Sequence, residues 1–253
     1  MKLKICLFTL SIIISNIAWS QKTDYDIVKT KFSSIKIKPI LHSSFVLTHM
    51  DKTIYVDPYG GADLYKGLKA PDIILITDIH GDHLNQKTLD SIDTSKATFI
   101  VPKAVALKLP SKYSSQIVIL KNGDAILKSS YYIKAIPMYN LPEASDSKHP
   151  KGRGNGYVIN ADDKIIYISG DTEDITEMRK LQNIDIAFIC MNLPYTMDIN
   201  QAASAVLEFK PKIVYPFHYR GKNGFSNVKE FKNIVNSKNK NIDVRIKQWY
   251  PNN

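Results

Sequence analysis

Asp72-Ile73-Ile74-Leu75-Ile76-Thr77-Asp78-Ile79-His80-Gly81-Asp82-His83-Leu84 joins a buried strand to a cluster of metal-ligand side chains. The run from Ile73 to Ile76 is apolar, short, rich in β-branched residues and bounded by polar neighbours, which predicts a strand covered on both faces. Directly after it, Asp78, His80, Asp82 and His83 put two carboxylates and two imidazoles within six residues, with Gly81 free to turn between them. Oxygen and imidazole donors crowded at a strand end suit a divalent cation. A plainer alternative is a polar loop that caps a helix over residues 85–92.

The remaining histidines favour the metal. Of six in the chain, four stand where strands or loops end: His80, His83, His149 and His218. Asp171 follows the apolar run 165–168 and Gly170 in the same way, and carboxyl ends of strands are where open α/β sheets collect ligands. Together with Asp78 and Asp82 this makes four imidazoles and three carboxylates, enough for two divalent ions sharing one carboxylate.

Around these points the chain alternates in a regular order. Runs at 35–40, 43–49 and 53–56 read as hairpin strands that stop at Asp57-Pro58, since proline cannot donate to a ladder. A strand at 98–101 and a short helix at 103–109 follow the ligand loop. Runs at 116–120, 125–127 and 131–136 are predicted in a second sheet, and 138–155, with Pro142, Pro150, Gly152 and Gly154, is a long loop. Strands at 157–160, 164–169, 184–190 and 213–217, a helix at 199–209, a helix at 225–235 and a strand at 243–246 complete the series. Strands, then mixed strand and helix, twice over, imply two mixed sheets packed face to face with helices outside.

The chain has 253 residues and a formal charge of +10. Lys2 and Lys4 precede an apolar core at 5–14, and Ala18-Trp19-Ser20 supplies small residues before Gln21, the pattern of a signal peptide over residues 1–20. An exported protein without stable membrane insertion is therefore expected, periplasmic or extracellular, with residues 21–253 forming one domain because no linker interrupts them. The scattered lysines suit mild attraction to anions; a nucleic-acid surface is the sharper reading of the charge, but no recognition motif accompanies it and no nucleic-acid partner is expected. Cys190, the single cysteine after residue 20, lies in an apolar run with no basic neighbour and is expected to be neither disulfide-bonded nor nucleophilic. His49, at a hairpin, is expected at the surface.

The order Asp78, His80, Asp82, His83, then His149, Asp171 in Ser-Gly-Asp-Thr, and His218 in Tyr-Pro-Phe-His-Tyr resembles the metallo-β-lactamase superfamily, whose motif is His-x-His-x-Asp-His followed by His, Asp and His. His42-Ser43-Ser44-Phe45, Val56-Asp57-Pro58, residues 152–157 and Tyr195-Thr196-Met197-Asp198 resemble the branch containing ascorbate-6-phosphate lactonase and N-acyl-phosphatidylethanolamine phospholipase D. The resemblance implies a four-layer αββα sandwich and a binuclear site. In it Asp78, His80 and His149 take one metal, Asp82, His83 and His218 the other, and Asp171 bridges.

The implied activity is hydrolysis of an ester, lactone or phosphodiester by a metal-bound hydroxide, with Asp82 and Asp171 as the catalytic carboxylates. Zinc is the expected ion. The departure is Asp78, which stands where the family has histidine; a hard carboxylate shifts preference toward manganese or iron and makes the site less positive by one charge. The first metal would then be weakly held, and a metal-binding protein without hydrolytic activity is the alternative. Arg153 is expected to pair with an anionic small-molecule substrate, or else to be a solvated loop residue. His42 is expected on the substrate side, protonating a leaving group, or else packed at a strand start. Asp57 orients a ligand or merely ends a strand.

Overall fold

The structure is a computed structural model and describes residues 25–250; the proposed signal peptide lies outside them. Short amphipathic runs in the first quarter pair as a meander: β1 (Asp26–Lys29), β2 (Ser34–Leu41), β3 (Ser44–His49) and β4 (Lys52–Val56), all antiparallel. Three parallel strands extend the sheet from β4: β5 (Ile73–Leu75), β6 (Thr98–Val101) and β7 (Ile117–Ile119). The second half repeats this plan. β8 (Ala125–Lys128), β9 (Tyr131–Met138), β10 (Gly154–Ala161) and β11 (Lys164–Ile168) are antiparallel. β12 (Ile186–Cys190) and β13 (Ile213–Phe217) then add in parallel. A ribbon of β14 (Arg220–Gly221) and β15 (Gly224–Phe225) interrupts the series, and β16 (Asp243–Val244) closes the second sheet beside β13.

The two-residue alternation of strands builds the layers. Ile73 and Leu75 point into a core shared with the second sheet, where Phe45 stacks on Phe188 with ring centroids 4.1 Å apart. Ile74 and Ile76 point the other way, under Leu89, Val105 and Tyr113. Residues 73–76 are all buried, as a strand covered on both faces requires. The short helices α1 (Gln86–Leu89) and α2 (Lys103–Ala106) cover this outer face. α3 (Thr176–Arg179), α4 (Ile199–Phe209) and α5 (Val228–Lys238) cover the second sheet, through Ala202, Val206, Phe231 and Val235. The result is a four-layer αββα sandwich. No helix among the described residues is long and apolar enough to cross a membrane.

Some expectations change. Residues 116–120 do form a strand, but β7 pairs with β6, Ile100 opposite Val118, at the edge of the first sheet rather than in the second. The helix expected at 85–92 is a single turn, capped by Asn85 accepting from Thr88 N at 2.9 Å and followed by the turn formers Ser91, Asp93 and Thr94. The last helix starts at Val228 instead of 225, because Phe225 pairs with Arg220 in the ribbon and Asn227 caps the helix through Glu230 N. His49 is buried beside Tyr131 rather than exposed. β1 was not expected: it has only four residues, two of them apolar.

Candidate metal centre

All the expected ligands lie along one edge of the sandwich, beyond the carboxyl ends of β5, β9, β11 and β13. Tight local geometry brings them there. Leu84 N donates to His80 O at 2.8 Å and His83 N to the same oxygen at 3.0 Å, a turn that folds the ligand loop back on itself. Gly170 adopts φ +61°, and a Cβ there would approach Met138 Sδ to 2.7 Å, so glycine is needed to turn β11 into Asp171. Asn155 N donates to Thr77 O at 2.9 Å, tying β10 of the second sheet to the ligand loop of the first. Asp57 and His218 hold left-handed backbones, φ 42° and 45°, which glycine adopts far more readily.

Asp171 is the centre of the arrangement. Its Oδ2 lies 3.3 Å from His83 Nε2 and 3.4 Å from His149 Nε2, and its Oδ1 lies 3.4 Å from His218 Nε2. Asp82 Oδ2 lies 3.3 Å from His218 Nε2. Asp78 Oδ2 contacts His80 Nδ1 and lies 3.9 Å from His149 Nε2. Three sets each bring their donor atoms within 4.8 Å of one another: Asp78 with His80 and His149, His83 with Asp171 and His218, and His42 with Asp82 and His218.

Neighbouring groups fix the imidazole tautomers. Asp57 Oδ2 accepts from His83 Nδ1 at 2.9 Å, and its Oδ1 accepts from Thr77 N at 2.7 Å. Asn140 Oδ1 accepts from both His149 N and His149 Nδ1, at 2.8 and 3.1 Å. In each case the Nε2 lone pair is left facing inward, as a metal ligand requires. His83 Nε2, His149 Nε2 and Asp171 Oδ1 are buried without a hydrogen-bond partner. Such atoms are costly unless a cation takes them up, so the donor set fits a divalent ion.

The electrostatics agree. Burial works against charge on every group here, but mutual attraction wins. His218 is pushed up to about 9 by Asp171 and Asp82, and His83 is raised by Asp171, Asp57 and Asp82. Asp171 is held well below the carboxylate range by His218 and His83, and Asp78 is held at about 2 by His80, His83 and Arg153. The space between these groups attracts positive charge.

The expected substrate-side residues stand differently. Arg153 does not face outward. Its Nε and Nη2 donate to Asp78 Oδ1 and Oδ2, both at 3.2 Å, and Nη2 also donates to Lys148 O at 2.6 Å. Its charge is thus paired with a buried carboxylate. His42 is packed at the β2–β3 turn, edge-on to His218, where burial first and then His218 and Arg220 lower it to about 4. It is neutral, and its Nε2 accepts from Arg220 Nη2. Asn140, Arg220 and Asn192 were not anticipated. Asn192, directly after the buried run of β12, was findable by the same strand-end rule that selected Asp171. His80, Asp82, His149 and Asp171 open onto a cleft of about 340 Å³ that Lys148, Asn192 and Tyr195 also line.

A family model described as a beta-lactamase superfamily domain matches residues 36–218. A UPF0173 metal-dependent hydrolase of Pyrococcus horikoshii is 29% identical over 214 residues, 81% of this chain and 93% of the relative. The crystal structure of a protein from Parabacteroides distasonis, described as a metal-dependent hydrolase, has a TM-score of 0.79 and 40% identity and covers 89% of this chain and 99% of that one. A metallo-beta-lactamase fold protein from Bacillus subtilis shares the fold, with a TM-score of 0.68 at 12% identity over 85% of this chain and 96% of that one. With the expected ligands grouped at one sandwich edge, the family model and these relatives show that the chain belongs to the metallo-β-lactamase superfamily and is a metal-dependent hydrolase.

Proposed function

We propose that the protein hydrolyses an ester, lactone or phosphodiester bond in a small anionic substrate with two divalent ions. One ion would sit among Asp78, His80 and His149, the other among Asp82, His83 and His218, and Asp171 would contact both. The observation that carries this reading is Asp171, whose single carboxylate lies within 3.4 Å of three imidazole nitrogens. Zinc suits the four imidazoles, and the three carboxylates leave manganese or iron acceptable. When bound, such ions acidify a water and polarise the electrophile it attacks.

The protein's own groups have distinct tasks in this reading. Asp82 is a third exposed to the cleft while its Oδ2 faces His218, so it can hold the proton that the attacking water gives up. Asn192 Nδ2, 3.4 Å from His218 Nε2, lies at the wall where an oxyanion would form. The anionic preference rests on two cations that have no carboxylate partner among the described residues. Lys148 lies over the Tyr195 ring at the cleft, 5.6 Å from its centroid, and Arg220 is held against His42 and the Tyr250 ring. The proposal includes export, supported by the basic and apolar pattern of residues 1–20, and N-terminal sequencing of the mature protein tests it.

The catalytic test is turnover of 4-nitrophenyl acetate, a lactone panel and bis(4-nitrophenyl) phosphate by protein loaded with zinc, manganese or iron. Turnover in at least one pairing, with kcat lowered about 10²–10⁴-fold in Asp82→Asn, is expected. No turnover in any pairing by protein that holds both ions would refute this choice of substrates. Arg220→Met should raise KM for the phosphodiester while leaving the neutral ester little changed.

A further inference from the structure

Asp78 is a charge that the site must compensate. Its side chain is fully buried, and it shares the His149 ring with a second buried carboxylate: His149 Nε2 lies 3.9 Å from Asp78 Oδ2 and 3.4 Å from Asp171 Oδ2. A buried carboxylate is tolerated when it is paired and fully hydrogen-bonded. Arg153 supplies that pair as a fork, with Nε on one oxygen and Nη2 on the other, both at 3.2 Å. The fork covers one side of the carboxylate and leaves Oδ2 turned toward His80 and His149. The same Nη2 holds Lys148 O, the carbonyl just before His149, at 2.6 Å. Three carboxylates with one guanidinium carry the net charge of two carboxylates alone.

We propose that Asp78 and Arg153 act as one neutral donor unit, in which the guanidinium cancels the charge that the third carboxylate brings to the first metal. This rests on the reading that Asp78, His80 and His149 hold an ion. Arg153 is then a positioning and charge-compensating residue that keeps the ion exchangeable and preserves the positive charge of the pair of ions. A role as a simple strap for the His149 loop has the opposite consequence, because loss of the strap would loosen the ion.

The sign of one substitution separates the two. Metal content by elemental analysis, and affinity for each zinc ion by chelator competition, are measured for the wild type, Asp78→Asn, Arg153→Gln and the double variant, with thermal unfolding as a check on folding. Asp78→Asn leaves a guanidinium unpaired beside the ion and should weaken the first ion about tenfold or more. Arg153→Gln, which keeps a hydrogen-bond donor but no charge, should tighten it by a similar factor in the wild type and restore much of the loss in the Asp78→Asn background. If Asp78→Asn does not fold, Arg153→Gln alone still decides the sign. Unchanged or weaker binding of the first ion in Arg153→Gln would overturn the proposal while both ions remain countable. A single ion in the wild type, indifferent to Asp78→Asn, would overturn it through the ligand assignment on which it rests.

Discussion

Asp57 shows how much of the site depends on residues that would not touch an ion. It is buried at the end of β4 in a left-handed backbone, one oxygen on Thr77 N and the other on His83 Nδ1. Asp57→Ala should lower zinc affinity about 10–100-fold, read by chelator competition, because the His83 ring loses both its tautomer and its orientation. Cys190 gives the contrasting case. Burial pushes its thiol up to about 11, so almost none is thiolate at pH 8, and iodoacetamide should label it only after unfolding. Labelling of the native protein would show that β12 opens. At this scale the sequence was informative where chemistry resides in residue type: the seven expected donors do converge. Arg153 pairs with Asp78, 75 residues away, a partner that proximity to His149 in the chain cannot reveal, since it says nothing about where a guanidinium points.

Elements were legible in proportion to their end signals. α4 covers residues 199–209 as expected, since Asp198 and Gln201 form a reciprocal capping box and Lys210 ends it in a left-handed conformation. Asp198→Ala should cost about 1 kcal/mol in urea unfolding, with no change in metal content. α1 has no left-handed cap, and only the turn formers from Ser91 onward mark its end after a single turn. Close packing sets another constraint at β10, where a Cβ on Gly156 would lie 2.8 Å from Ile168 O and 2.9 Å from Ser169 O, both backbone atoms. Gly156→Ala should therefore destabilise the fold by about 1–3 kcal/mol, as overpacking does. Because β11 leads into Asp171, the same variant should also weaken metal binding. A wild-type melting curve for it would mean that β10 and β11 separate at little cost.

Across the whole molecule, two sheets of the same plan meet at one edge, and each contributes donors: Asp78, His80, Asp82 and His83 come from the first, His149, Asp171 and His218 from the second. Alternation of strand and helix made the sandwich readable, but pairing of an edge strand such as β7 depends on tertiary packing and was not. Because candidate ligands from both sheets close on a common centre, bound metal should stabilise the whole fold rather than one loop. An ion at a hundred times its dissociation constant contributes about 2.7 kcal/mol, so a chelator should lower the unfolding midpoint and added zinc should restore it. The most direct measurement is elemental analysis of the purified protein reconstituted with zinc, beside Asp171→Ala. Two equivalents in the wild type and marked loss of both in the variant are predicted; no bound metal in the wild type, or two ions retained without Asp171, would contradict the account.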